Sequence, residues 1–85
     1  MKVLACIPAF NEGKVIGNLV KKTLSYVDKV IVCDDGSSDN TFNEAKISGA
    51  EVIRHDKNLG KGAALKSLFE YARNSSFDII VTIDG

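Results

Sequence analysis

The sequence predicts an α/β fold: an open parallel sheet with helices on both faces and its strands in the order 3-2-1-4. Three observations lead there. Four short apolar segments alternate with three amphipathic, helix-spaced segments. The second apolar segment, Val30-Ile31-Val32-Cys33, runs continuously instead of alternating, the pattern of a strand covered on both faces. The connections are short, so successive strands are joined by right-handed helical crossovers and run parallel. The order 3-2-1-4 sets the first strand between the second and the fourth and brings Glu12, Asp35 and Asp84 to one rim.

The elements follow in turn. Val3-Leu4-Ala5-Cys6-Ile7 is the first strand, and Pro8 is expected to end it. A helix is expected from Glu12 to Tyr26, with Ile16, Leu19, Val20, Thr23 and Val27 on one stripe and Lys14, Lys21 and Lys22 off it. The second strand leads into the turn-rich run Asp34-Asp35-Gly36-Ser37-Ser38-Asp39-Asn40. The next helix starts between Asp39 and Thr41, where Asp39 suits an N-cap and Thr41-x-x-Glu44 a capping box; Gly49 ends it. Glu51-Val52-Ile53-Arg54 is short and more polar, as an edge strand would be. The last helix, Gly62 to Arg73, has Leu65, Leu68, Phe69 and Ala72 as its expected inward stripe, and Ile79 to Ile83 is the fourth strand.

With 85 residues the chain makes one domain at most, and its composition (45% hydrophobic, 26% charged) is that of an ordinary globular protein. Eleven basic and eleven acidic side chains cancel, so charge gives no case for nucleic acid or an anionic membrane surface. No apolar run approaches the roughly 20 residues of a membrane span. Cys6 and Cys33 each sit inside an apolar run and read as reduced core thiols. These features suggest the cytoplasm, or the cytoplasmic face of a membrane for a longer protein. The final residues read as a strand arriving at a loop, so residues 1–85 are expected to be a piece of a longer protein.

Ligands of open α/β sheets bind outside the carboxyl ends of the strands, where strand order reverses. Here those ends are acidic: the first strand runs into Pro8-Ala9-Phe10-Asn11-Glu12, the second into Asp34-Asp35, the fourth into Asp84-Gly85. The loop after the first strand lacks G-x-G-x-x-G, and Gly60-Lys61-Gly62 lacks P-loop spacing. An acidic rim repels a bare phosphate but suits a divalent cation that neutralises a diphosphate.

Four motifs, Pro8-Ala9-Phe10-Asn11-Glu12, Asp34-Asp35-Gly36-Ser37-Ser38-Asp39-Asn40-Thr41, Asn58-Leu59-Gly60-Lys61-Gly62-Ala63-Ala64-Leu65 and Ile83-Asp84-Gly85, together resemble family-two glycosyltransferases of the GT-A fold. The branch they are most similar to contains dolichyl-phosphate mannosyltransferase and related polyprenyl-phosphate sugar transferases. The resemblance implies a GDP- or UDP-sugar donor, Mg²⁺ or Mn²⁺, an inverting transfer, and an acceptor such as a polyprenyl phosphate. It implies that Pro8, Ala9, Phe10 and Glu12 line the nucleotide pocket, that Asp35 hydrogen-bonds the base and that Cys33 touches it through backbone or side chain. It makes residues 1–85 the incomplete N-terminal, nucleotide-sugar-binding part of a glycosyltransferase domain. Asp84 becomes the first Asp of a D-x-D metal motif, with Gly85 as its middle residue, and the catalytic base lies further along than this sequence reaches. Lys61, near a helix N-terminus, is a candidate phosphate contact.

Plainer readings stand beside these. Pro8 can serve simply as a strand terminator, Asp34 as a turn former, Asp39 as a helix cap, Phe10 as a core residue and Lys61 as a solvated lysine. Arg54 and His55 follow the third strand with no role assigned. Two other classes compete. A sugar nucleotidyltransferase usually carries a glycine- and basic-rich loop after the first strand, where this chain has Phe10-Asn11-Glu12. A receiver-type signalling module carries its acidic pair after the first strand, whereas here the pair follows the second.

Overall fold

A computed structural model of the chain describes residues 1–84. Its elements are β1 (Val3–Ala9), α1 (Ile16–Leu24), β2 (Lys29–Asp34), α2 (Thr41–Ile47), β3 (Glu51–Arg54), α3 (Lys61–Arg73) and β4 (Ile79–Thr82). The strands form one sheet in the order β3-β2-β1-β4, every neighbouring pair parallel, as the sequence predicts.

Alternation along the two central strands sorts the core into two layers. Ala5, Ile7 and Ala9 of β1 and Val30 and Val32 of β2 face Ile16 and Val20 of α1 and Ala45 of α2. Leu4, Cys6, Ile31 and Cys33 face the other way, onto Ala64 and Leu68 of α3. Both layers are fully buried at β1 and β2, which is why those strands read as unbroken apolar runs. Cys6 and Cys33 are free and buried, in keeping with core thiols. β3 is a half-exposed edge, tied to β2 by a Lys29–Glu51 ion pair at 2.7 Å. At the amino ends of the strands the Asp28 carboxylate accepts the Val3 N–H at 2.7 Å, and Asp78 accepts that of Lys2 at 2.8 Å.

Several expectations are corrected. Pro8 does not end β1: pairing with β2 continues through Pro8 and Ala9. What Pro8 stops is the ladder on the other side. The Ile83 N–H donates to the Cys6 carbonyl, and the next rung towards β4 would need the N–H that proline lacks. The β1–β4 register accordingly ends at Cys6↔Thr82. The first helix starts at Ile16, not Glu12, because the Glu12 carbonyl takes the Val15 and Ile16 amides and leaves Glu12 itself in the loop.

At α2 the expected capping box does not form. Asn40 occupies the cap position without a side-chain bond to the helix amides, and the Asp39 carboxylate, one residue earlier, accepts both the N–H and the hydroxyl of Thr41. The inward stripe of α3 is Ala64, Leu68, Tyr71 and Ala72, whereas Phe69 is half exposed and Leu65 only half buried. Ala64, Ser67, Leu68 and Tyr71 lie at i, i+3, i+4 and i+7, so a polar serine sits within the buried stripe and masks it in the sequence.

Candidate functional site

The carboxyl ends of β1, β2 and β4 open onto a cavity of about 340 Å³. Pro8, Ala9, Phe10 and Glu12 line it from β1 and its loop, Asp35 from the end of β2, and Asp84 from beyond β4. Asn58 and Gly60 before α3, with Lys61 and Ala64 in its first turns, complete the lining. Its position follows from the strands: β2 lies to one side of β1 and β4 to the other, and the ladder between β1 and β4 stops at Pro8, so a crevice remains there. Phe10 is half exposed at this mouth and not a core residue.

Of the expected site residues, all but two meet here. Cys33 does not: its side chain is fully buried beneath Asp35, with its sulfur 3.6 Å from His55 Nε2. Burial, helped by Asp35 and Asp34, pushes its thiol up to about 11, so it is a neutral core group. Gly85 lies outside the described residues.

The loop carrying Glu12 is sewn to the loop after β2. Three consecutive amides, of Asn11, Glu12 and Gly13, donate to Ser37 Oγ at 2.8 Å, Thr41 Oγ1 at 2.9 Å and Asp39 Oδ2 at 3.0 Å. Asn11 returns the contact, its side-chain carbonyl accepting the Ser38 N–H at 2.9 Å, and it does so from a left-handed backbone (φ 52°) that asparagine tolerates. The run Ser37 to Thr41 therefore positions the Pro8-to-Glu12 loop without lining the cavity. Asp34 orders the turn, accepting the Ser37 N–H at 3.0 Å, and its other oxygen lies 3.7 Å from Arg54 Nε.

Asp35 is the most constrained group. Its Oδ1 accepts from His55 Nδ1 at 2.7 Å and the Leu59 amide at 3.0 Å, and its Oδ2 from the Gly60 amide at 2.8 Å. Burial pushes the carboxyl up, but the His55 bond and the two amides outweigh it and hold Asp35 below the ordinary carboxylate value. It is a carboxylate at neutral pH. Gly36 permits this arrangement: with φ +75°, a methyl group there would lie 2.6 Å from the Asn58 amide nitrogen, in the loop that delivers Leu59 and Gly60. His55, Asn58 and Gly60 join the site beyond the residues that the sequence predicts for it. Asn58 and Gly60 stand within a quoted motif, but His55 has no local signature, since its partner lies twenty residues earlier.

Charge at the mouth is mixed. Lys61 Nζ lies 2.6 Å from Asp84 Oδ1, both side chains well exposed. No cluster of three or more His, Cys, Asp or Glu side chains suited to a metal occurs among the described residues. Asp84 is thus a single hard oxygen donor, and it already holds a cation, the lysine ammonium, at the cavity's edge. A carboxylate oxygen is the donor type a divalent ion takes, and this one is exposed enough to exchange the ammonium for such an ion. No helix of the described residues is long and apolar enough to cross a membrane.

Residues 4–85 match the family model for glycosyl transferase family 2. An uncharacterised Methanocaldococcus jannaschii protein is 40% identical over 99% of this chain, which covers 35% of that protein. UDP-N-acetylglucosamine--dolichyl-phosphate N-acetylglucosaminyltransferase of Methanococcus voltae is 33% identical over 93% of this chain and 39% of its own length. The chain spans about a third of the length of the curated relatives it matches. Among solved structures, glucosyl-3-phosphoglycerate synthase from Mycobacterium tuberculosis, in complex with Mn²⁺, UDP and phosphoglyceric acid, superposes with a TM-score of 0.78. It is 32% identical, over 98% of this chain and 32% of that one.

Proposed function

We propose that this chain, which belongs to glycosyl transferase family 2, forms the donor-binding part of a glycosyltransferase using a GDP- or UDP-sugar. One observation carries the reading: Glu12, Asp35, Lys61 and Asp84, contributed by four separate segments, line one cavity at the strand-order reversal. Asp35 retains about one free lone pair of the four a carboxylate offers, enough to accept one N–H from a base edge. Lys61 and the N-terminal end of α3 supply positive charge for the diphosphate. Asp84 would hold Mg²⁺ or Mn²⁺, which when bound stabilises the nucleoside diphosphate as a leaving group. The acceptor is proposed to be a polyprenyl phosphate, in line with the acceptor named for the Methanococcus voltae relative. Such an acceptor is already an anion and needs little help in losing a proton.

Calorimetric titration of the full-length protein with UDP and GDP, with and without Mn²⁺, tests the roles. Asp84→Ala should weaken binding only when the metal is present, and Asp35→Ala should weaken it in both conditions. Equal binding by wild type and both variants would overturn the site.

A further inference from the structure

A line of hydrogen bonds runs from the cavity beneath its floor to α3, where half-buried Ser67 lines a second, open cavity. Asp35 Oδ1 meets His55 Nδ1 at 2.7 Å, and His55 Nε2 meets Ser67 Oγ of α3 at 2.8 Å. The imidazole is nearly buried, with 12% of its side chain exposed, and it does not line the cavity. We propose that His55 and Ser67 are positioning residues for donor binding: they fix which acceptor site of Asp35 is left for the nucleotide. The inference rests on the assignment of Asp35 to the donor site.

The argument is one of donors and acceptors. An ionised Asp35 only accepts, so Nδ1 of His55 must carry a proton. In the neutral ring Nε2 is then an acceptor, and the Ser67 hydroxyl, sitting 2.8 Å away, is the donor that matches it. Ser67 thereby favours the tautomer that Asp35 needs. With His55 and the Leu59 amide on Oδ1 and the Gly60 amide on Oδ2, rotation of the carboxylate would break bonds on both oxygens. The remaining lone pair is held in place before the ligand arrives, and its orientation costs no entropy on binding.

The sequence of side chains, Ser–His–Asp, is that of a nucleophilic triad, but the geometry serves another end. Ser67 lies within α3, where neighbouring amides are spent on helical hydrogen bonds, so no pair of donors is free to stabilise an oxyanion.

The test uses the full-length protein, with UDP and GDP as calorimetric probes and ¹⁵N NMR of the His55 ring, its signals identified by their loss in His55→Phe or His55→Asn. His55→Phe should weaken nucleotide binding roughly tenfold, the scale of one hydrogen bond to a charged group. His55→Asn, whose amide places an N–H near the Nδ1 position, should recover most of that loss. Ser67→Ala should weaken binding by a smaller factor and shift the ring signals away from the Nδ1–H form. A wild-type ring with Nδ1 bare would overturn the proposal even if His55→Phe failed to fold. So would a folded His55→Phe that binds like wild type while Asp35→Ala does not. If Asp35→Ala itself binds like wild type, the donor-site reading fails instead.

Discussion

Asp35 shows how one side chain can be both structural and available. Its depressed pKa makes its contribution to stability depend on acid. The folded-state value lies below the ordinary 3.8, so the stabilisation is fully present above that value and is lost as pH falls through the folded pKa. Urea midpoints of wild type and Asp35→Asn should differ at pH 7, and the gap should begin to close only as pH falls below about 4. A constant gap down to pH 2 would show that the carboxylate's charge is not what the loop uses. Gly36 acts on the same contacts from the backbone side. Gly36→Ala should both destabilise the fold, by roughly 1–3 kcal/mol for a strained residue, and weaken nucleotide binding, because the loop carrying Leu59 and Gly60 must move away from Asp35.

Between elements, two devices shape the cavity. The first is the stitch of the Asn11, Glu12 and Gly13 amides onto Ser37, Thr41 and Asp39. Thr41 is fully buried, so Thr41→Val, equal in shape but without the hydroxyl, leaves the Glu12 amide unsatisfied and should cost about 1–3 kcal/mol in urea denaturation. The second is the ladder stop at Pro8. Pro8→Ala supplies the missing donor, and the expected result is protection of the new amide in hydrogen exchange, with nucleotide affinity lowered roughly threefold as the crevice narrows. Unchanged exchange at residue 8 would assign the crevice to other causes. The parallel sheet and its two core layers are legible in the sequence because periodicity and short crossovers leave few alternatives, and the order 3-2-1-4 follows from bringing the acidic strand ends to one reversal. The rotation of α3 is not legible, since apolar spacing favours Leu65 and Phe69 while the helix is turned by the Ser67–His55 bond and by small Ala64 against the sheet. Pro8 is the breaker that its residue type predicts, but it breaks the ladder to β4 and not that to β2. The cavity's acidic members followed from strand ends alone, whereas His55 depends on a contact across three elements that no local pattern announces.

At the scale of the whole molecule, the sheet's weakest place is β4, which pairs with β1 alone among the described residues and leaves Ile79, Ile80 and Val81 more than a third exposed. An apolar edge of this kind recruits other strands. Sedimentation of the 85-residue chain should show concentration-dependent association, and Val81→Lys should reduce it; a monomer at all concentrations would mean that this edge is protected. Because every strand runs the same way, the cavity occupies one rim, and the amide-capping Asp28 and Asp78 occupy the other. Exposed Met1 stands at that second rim, a strand length of about 20 Å from the cavity. A label or tether placed beside Met1, Asp28 or Asp78 therefore sits at the foot of the sheet, a full strand away from the mouth of the cavity.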